Sequence, residues 1–166
     1  KNLLPPELAD IEDDVEALLP IHGAELDLAA ADTAFGKQVL SVNMTEPGSG
    51  LAFPPQKVRL APGAGHEKTV SLLASCYVKG PRDAQITLGL QFAPAELLDP
   101  KTKEPVTDRQ EDKAEPVTIT LNGEWQRVAC VVSGDVRLRE RIAGFSITLA
   151  SARQMTLQAD GFQFEP

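Results

Sequence analysis

The side chains best suited to proton transfer, nucleophilic attack or zinc ligation are two histidines, His22 and His66, and two cysteines, Cys76 and Cys130. Each histidine lies beside glycine, in Ile21-His22-Gly23 and Gly65-His66, with no cysteine or second histidine at metal-ligand spacing. Both read as solvated turn residues. The sequence has no G-x-S-x-G elbow, no H-E-x-x-H pair, no Walker loop and no G-x-G-x-x-G after a strand. A glycosidase needs only two carboxylates facing each other across a bond, and spacing leaves that pair open. The densest acidic run, Asp10, Glu12, Asp13, Asp14 and Glu16, is more simply the polar face of a short helix. These residues favour a binding protein over an enzyme.

The positions of such residues depend on the elements that carry them. From Pro5-Pro6-Glu7 to Leu19, the apolar residues Leu8, Ile11, Val15 and Leu18 recur every three or four positions, which predicts one short N-terminal helix. Beyond it, apolar and polar residues alternate in short runs, broken by turn signals such as Pro47-Gly48-Ser49-Gly50, Gly80-Pro81 and Asn122-Gly123. The strands expected are about 24–30, 37–44, 56–60, 67–79, 84–92, 116–121, 125–132, 143–150 and 154–164. That pattern is all-β, an antiparallel β-sandwich of two packed sheets.

Alternation also assigns faces, because successive side chains of a strand point to opposite sides. Val70, Leu72, Ala74, Cys76 and Val78 form one apolar set, Ile86, Leu88, Leu90 and Phe92 a second, and Val128, Cys130 and Val132 a third. Phe145, Phe162 and Phe164 also read as core. Both cysteines therefore point inward, where they either bridge or pack as small hydrophobes. Free thiols are favoured, since neither lies in a turn. Ser75, Tyr77, Gln91, Trp125 and Arg127 face away from the apolar sets of their own strands. Residues 93–114, with Pro94, Pro100, Pro105 and dense mixed charge, interrupt the pattern as a long polar loop, either mobile or functional.

Bulk properties narrow the partners. At 166 residues and 42% hydrophobic, the chain suits a single domain spanning 1–166. A net charge of -8 repels nucleic acid and anionic membrane surfaces. No apolar run reaches the roughly 18 residues needed to span a bilayer. Asn43-Met44-Thr45 is a glycosylation sequon, relevant only in a secretory eukaryote.

Several segments fall in a telling order: Asn2-Leu3-Leu4-Pro5, Phe35-Gly36-Lys37-Gln38-Val39-Leu40-Ser41-Val42, Val70 to Lys79 with its Ser-Cys-Tyr-Val-Lys ending, Gly123-Glu124-Trp125-Gln126-Arg127-Val128, and Ala159-Asp160-Gly161-Phe162-Gln163-Phe164. Over nearly its whole length the chain resembles the carbohydrate-binding modules of the family 4, 9, 16 and 22 group. The resemblance implies a galactose-binding-like jelly roll, attached to polysaccharide-active domains of a larger secreted protein. It departs from that group in its acidic Ile11-Glu12-Asp13 opening and in the insertion after Phe92.

What the resemblance implies for the site is specific. Tyr77 and Trp125 would stack on pyranose rings, Gln91 and Arg127 would donate to hydroxyls, and Ser75 would share their surface, an arrangement suited to a neutral β-linked glucan or xylan. The competing role for Trp125 is packing at a strand start with Arg127 over it. A structural calcium would join the N-terminal segment to the last strand, with Asp160 and Glu12 as ligands, while the alternative for Asp160 is to cap the turn before Gly161-Phe162. An aromatic content of 5% favours a second reading, a structural or protein-interaction jelly roll without a sugar site. A small carbohydrate-active enzyme is the third.

Overall fold

A computed structural model describes residues 2–9, 11, 15–30, 36–62 and 68–166. The described residues form one helical turn, α1 (Pro6–Ala9), and the strands β1 (Leu19–Ile21), β2 (Glu25–Ala29), β3 (Val39–Met44), β4 (Gly50–Ala52), β5 (Gln56–Arg59), β6 (Thr69–Lys79), β7 (Gln85–Pro94), β8 (Lys113–Ala114), β9 (Val117–Thr120), β10 (Gln126–Asp135), β11 (Glu140–Leu149) and β12 (Met155–Glu165). The first sheet runs β1-β4-β11-β7-β9, with β5 also paired to β11, and the second runs β2-β3-β12-β6-β10-β8. The pairings are antiparallel. The chain thus has the all-β jelly-roll sandwich expected of it.

The alternating sets meet between the sheets. Val70, Leu72, Ala74, Cys76 and Val78 are at most 1% exposed. Against them pack Ile86, Leu88, Phe145 and Ile147 from the first sheet. Phe53, just after β4, joins them: it is buried, with its ring centroid 4.7 Å from Phe162 and 5.8 Å from Phe145. Burying each such ring contributes about 1.5–3 kcal/mol.

Of the helix expected from Pro5 to Leu19, one turn is described, and residues 10 and 12–14 lie outside the described residues. Among the described residues only Pro6–Ala9 is helical, closed by Leu8 and Ala9 amides donating to the Pro5 carbonyl. Leu8, Ile11 and Leu18 are all buried, so their spacing reports burial against the core. Leu19–Ile21 then pairs with β4 instead of continuing a helix. The strand β4 itself begins at Gly50, where a Cβ would collide with the Ile147 carbonyl of β11. The glycine that resembles a turn signal is there for close approach.

The long polar loop is narrower than expected, at 95–112, and it is tied down. Val106 donates its amide to Leu97 O at 2.7 Å, and Ala95 donates to Glu140 O at 3.0 Å. Gln110 N donates to Asp135 Oδ2 at 3.1 Å, and Arg137 Nη1 donates to Asp108 Oδ1 at 3.0 Å. Arg141 of β11, 0% exposed, points between the sheets, 3.3 Å from Asp112 Oδ1 and 4.9 Å from the Phe92 ring centroid. Gly134 makes room for this pair, since a Cβ there would overlap Asp112 Oδ1.

The cysteines are free and buried. Cys76 pairs in register with Val128 and Cys130 with Ala74, so the two are diagonal neighbours. Diagonal positions lie about 7–8 Å apart, beyond the reach of an unstrained disulfide.

Candidate functional site

The outer face of the second sheet gathers four of the five expected ligand residues. Ser75 and Tyr77 alternate outward on β6, and Arg127 does so on β10. Register places Arg127 and Asp160 on either side of Tyr77, in a row across β10, β6 and β12. Trp125 directly precedes β10 and is half-buried. Its approach is set by a locked turn, in which Gly123 takes φ 86°, Asn122 N donates to Gln126 Oε1 at 2.9 Å, and Glu124 N donates to Asn122 Oδ1 at 2.9 Å.

Arg127 lies along the face. Its Nη2 donates to Ser75 Oγ at 3.1 Å and sits 3.6 Å from Glu165 Oε2 on β12. Ser75 is consequently 2% exposed. It orients the guanidinium and does not offer its hydroxyl to solvent.

Gln91 is not brought to this face. It is exposed on β7, opposite Gly144 of β11, in the first sheet. Outward side chains of the two sheets are separated by the whole sandwich, whose sheets alone stand about 10 Å apart. Alternation gives the face of a strand but not its sheet, and this is why Gln91 was grouped with Tyr77. The amides that do flank Tyr77 come from β12: Gln158 is paired with Lys79, and Gln163 with Ser75. The alternation of Met155–Glu165 is the signal that could have found them, although a register shift between Asp160 and Gln163 interrupts it.

Asp160 is 5% exposed, and its Oδ1 accepts the Gly161 amide at 2.8 Å, with Gly161 at φ 62°. That is the capping role weighed against calcium. The junction between N-terminal segment and last strand is held by Asn2, which donates Nδ2 to Phe162 O at 3.0 Å and accepts Phe164 N at Oδ1 at 2.9 Å. Among the described residues no three His, Cys, Asp or Glu cluster around a metal position, so these residues alone do not supply the six to eight oxygens that calcium takes. Glu12 and His66 lie outside the described residues. His22 is exposed in a turn, at φ 46°.

Two half-buried aromatic rings, an oriented guanidinium and a line of amides make a surface that can hold a polar ring by stacking and hydrogen bonding.

No protein-family model and no curated protein matches the sequence. Solved structures do match in fold. The family 61 carbohydrate-binding module TmCBM61, solved with β-1,4-galactotriose, is 12% identical with a TM-score of 0.56, over 99% of this chain and 98% of that one. The second family 22 xylan-binding domain of Paenibacillus barcinonensis Xyn10C is 13% identical with a TM-score of 0.57, over 94% and 96%. The Clostridium thermocellum xylanase 10B fragment holding a family 22 module and its catalytic module, complexed with xylohexaose, is 16% identical with a TM-score of 0.55, over 95% of this chain and 28% of that one. The chain therefore has the jelly-roll fold of carbohydrate-binding modules. Among its described residues no helix is long and apolar enough to cross a membrane.

Proposed function

We propose that this chain is a non-catalytic carbohydrate-binding module that holds a neutral β-linked polysaccharide, a glucan or xylan, on the outer face of its second sheet. The observation that carries the reading is the placement of Tyr77 between Arg127 and Asp160, with Trp125 entering the same sheet one residue before β10. Tyr77 and Trp125 stack on sugar rings, Arg127 donates to hydroxyls, and Gln158 and Gln163 extend the polar line. Ser75 positions Arg127. Gln91 has no part in this face.

The module works as a tethered piece of a larger secreted polysaccharide-active protein. Supporting this, the chain resembles 28% of a longer xylanase fragment. Calcium is proposed only as a structural ion at Asp160.

Affinity electrophoresis against xylan, mixed-linkage glucan and galactan tests the reading. Retardation by a neutral polysaccharide that disappears in Tyr77→Ala, with the far-UV spectrum unchanged, supports it. The absence of retardation across the panel overturns it and favours a second reading, a protein-interaction jelly roll. One feature favours that alternative: Val131, 51% exposed, is paired in register with the half-buried Leu73 on the same face.

A further inference from the structure

The sandwich has a cleft at the end opposite Trp125. Its walls are the end of β5, the turn between β10 and β11, and the first part of the 95–112 loop, and it encloses about 1050 Å³. That volume is just above the usual range for small-molecule sites, about 300–1,000 Å³. From Arg127 to Asp135, β10 runs eight residues toward it, about 26 Å at the usual rise, so the cleft is separate from the Tyr77 face.

Its charge is the reverse of the molecule's. Arg59, Lys101, Lys103, Arg137 and Arg139 line it, against Glu96, Asp99 and Glu140, on a chain of net charge -8. Part of the opposing charge is already engaged. Glu140 lies 3.5 Å from Lys57 Nζ, and the Asp99 carboxylate accepts the Lys101 amide at 2.8 Å. Arg137 is bound to Asp135 and Asp108. Arg59, Lys101, Lys103 and Arg139 have no ion-pair partner among the described residues. Four cations therefore face two carboxylates, Glu96 and Asp99.

The walls supply more than charge. Leu98, 45% exposed, and the exposed Pro62 give the cleft aliphatic surface. The two lysines are carried on a closed tip, in which Lys103 N donates to Asp99 O at 2.8 Å and Asp99 N donates to Glu104 O at 2.8 Å. Like-charged side chains held together in excess of their counter-charges repel one another, and arginine's planar fork matches a carboxylate or a phosphate bidentately; of the two, a carboxylate is the acidic group that sugars of a polysaccharide carry in their own rings.

We infer that this cleft is a second binding site, for acidic sugars of the uronate class, with Arg59 and Arg139 receiving the carboxylate and Lys101 and Lys103 flanking it. Leu98 and Pro62 meet the C–H face of the ring. The inference rests on the sugar-binding reading above but uses different residues, so the two can fail independently.

Isothermal titration with trigalacturonate, beside a neutral xylo-oligosaccharide, tests it in the wild type, in Arg59→Gln/Arg139→Gln, in Lys101→Gln/Lys103→Gln and in Tyr77→Ala. Trigalacturonate should bind, weaken with added salt, and lose at least about tenfold in affinity in the arginine variant, as expected for charge-assisted bonds. Tyr77→Ala should leave that binding unchanged while abolishing the neutral ligand. The exposed lysine variant covers the case in which the arginine variant misfolds, and should weaken trigalacturonate several-fold. Three results would overturn the inference: no heat from trigalacturonate, wild-type affinity for it in both cation variants, or equal binding of a polyglutamate peptide, which would show attraction to any anion.

Discussion

Arg127 and Ser75 form a hydrogen bond of 3.1 Å that crosses from β10 to β6 beside Tyr77. The bond sets the direction of a guanidinium that is otherwise 46% exposed. Ser75→Ala should leave thermal stability within about 1 kcal/mol, the usual net value of one such bond. It should nonetheless weaken polysaccharide retardation, because Arg127 would sample other rotamers. Affinity electrophoresis paired with a melting curve separates the two effects. Unchanged retardation would remove Arg127 from the ligand contacts.

Tyr77→Ala should remove about 1–3 kcal/mol of binding, by analogy with bases stacked on aromatic side chains. Trp125→Ala should lose binding by a similar amount, and should also destabilise the fold if the ring packs at the strand start. The two outcomes are read from a gel and a denaturant titration on the same preparation.

Breaking the buried Asp112–Arg141 pair on one side should be costly. Asp112→Ala strands an arginine whose own pKa is pushed down by burial and held up by Asp112, and should lower unfolding free energy by about 3–5 kcal/mol. Replacing both, as Asp112→Ala/Arg141→Leu, should recover much of that, since neither charge is left to be desolvated. Urea midpoints of the two variants check the prediction, and equal losses would refute it.

Acid stability should depend on Asp135. The Arg137 side chain, bonded at 2.7 Å, holds the Asp135 carboxyl far below the usual carboxylate range against the opposing effect of burial, helped by the Arg137 and Gln110 amides. A depressed folded pKa stabilises the fold above the unfolded value of about 3.9, and that stabilisation is lost as pH falls below it. Asp135→Asn should be less stable than wild type at pH 7 by about 1.5–3 kcal/mol, with the gap closing toward pH 2 in a series of urea titrations.

The thiols give the opposite sign at alkaline pH. Burial raises Cys130 from 9.0 to about 11 and raises Cys76 further, with the neighbouring Cys130 adding to the effect. Protonated thiols are therefore favoured by the fold. Their contribution is complete below about pH 8.5 and declines as pH rises toward 11. Cys76→Ala/Cys130→Ala should show a flatter stability profile over that interval. The native protein should react with a thiol reagent only on unfolding.

Calcium can be distinguished from turn capping at Asp160. Asp160→Asn keeps an oxygen for the Gly161 amide but loses the charge a hard cation needs. If the ion is structural, calcium should raise the wild-type melting temperature, a chelator should lower it, and neither should act on the variant. A wild-type melting temperature indifferent to both leaves Asp160 as a cap.

How far the sequence could be read follows from the physics of strands. Period-two alternation located β6, β7, β10 and β12 and picked out the apolar sets buried on β6, β7 and β10, because half-buried strands expose that period directly; it did not show that Ser75, on the outer side, is covered by Arg127. It could not assign Gln91 to the first sheet, since pairing partners are set by long-range packing. Strands of two or three residues, β1, β4 and β8, carry too little period to be seen. The apolar spacing before Leu19 marks burial of Leu8, Ile11 and Leu18, and burial alone does not fix the backbone that achieves it. The end cleft had no local signature, because Arg59, Lys101 and Arg139 are far apart in the chain and only the fold brings them to one cavity.

The tethering of the 95–112 loop bears on how fast and how tightly that end of the sandwich can capture a ligand. Asp108, Gln110 and Asp112 are fastened to Arg137, Asp135 and Arg141, so the segment loses its conformational freedom once, when the chain folds. A ligand entering beside it meets a preorganised wall and does not have to order a loop, an ordering that would otherwise cost roughly 0.5–1.5 kcal/mol for each immobilised side chain. Association there should be limited by diffusion and orientation, without a slow closing step, and rapid-mixing traces should remain single-exponential as ligand concentration rises.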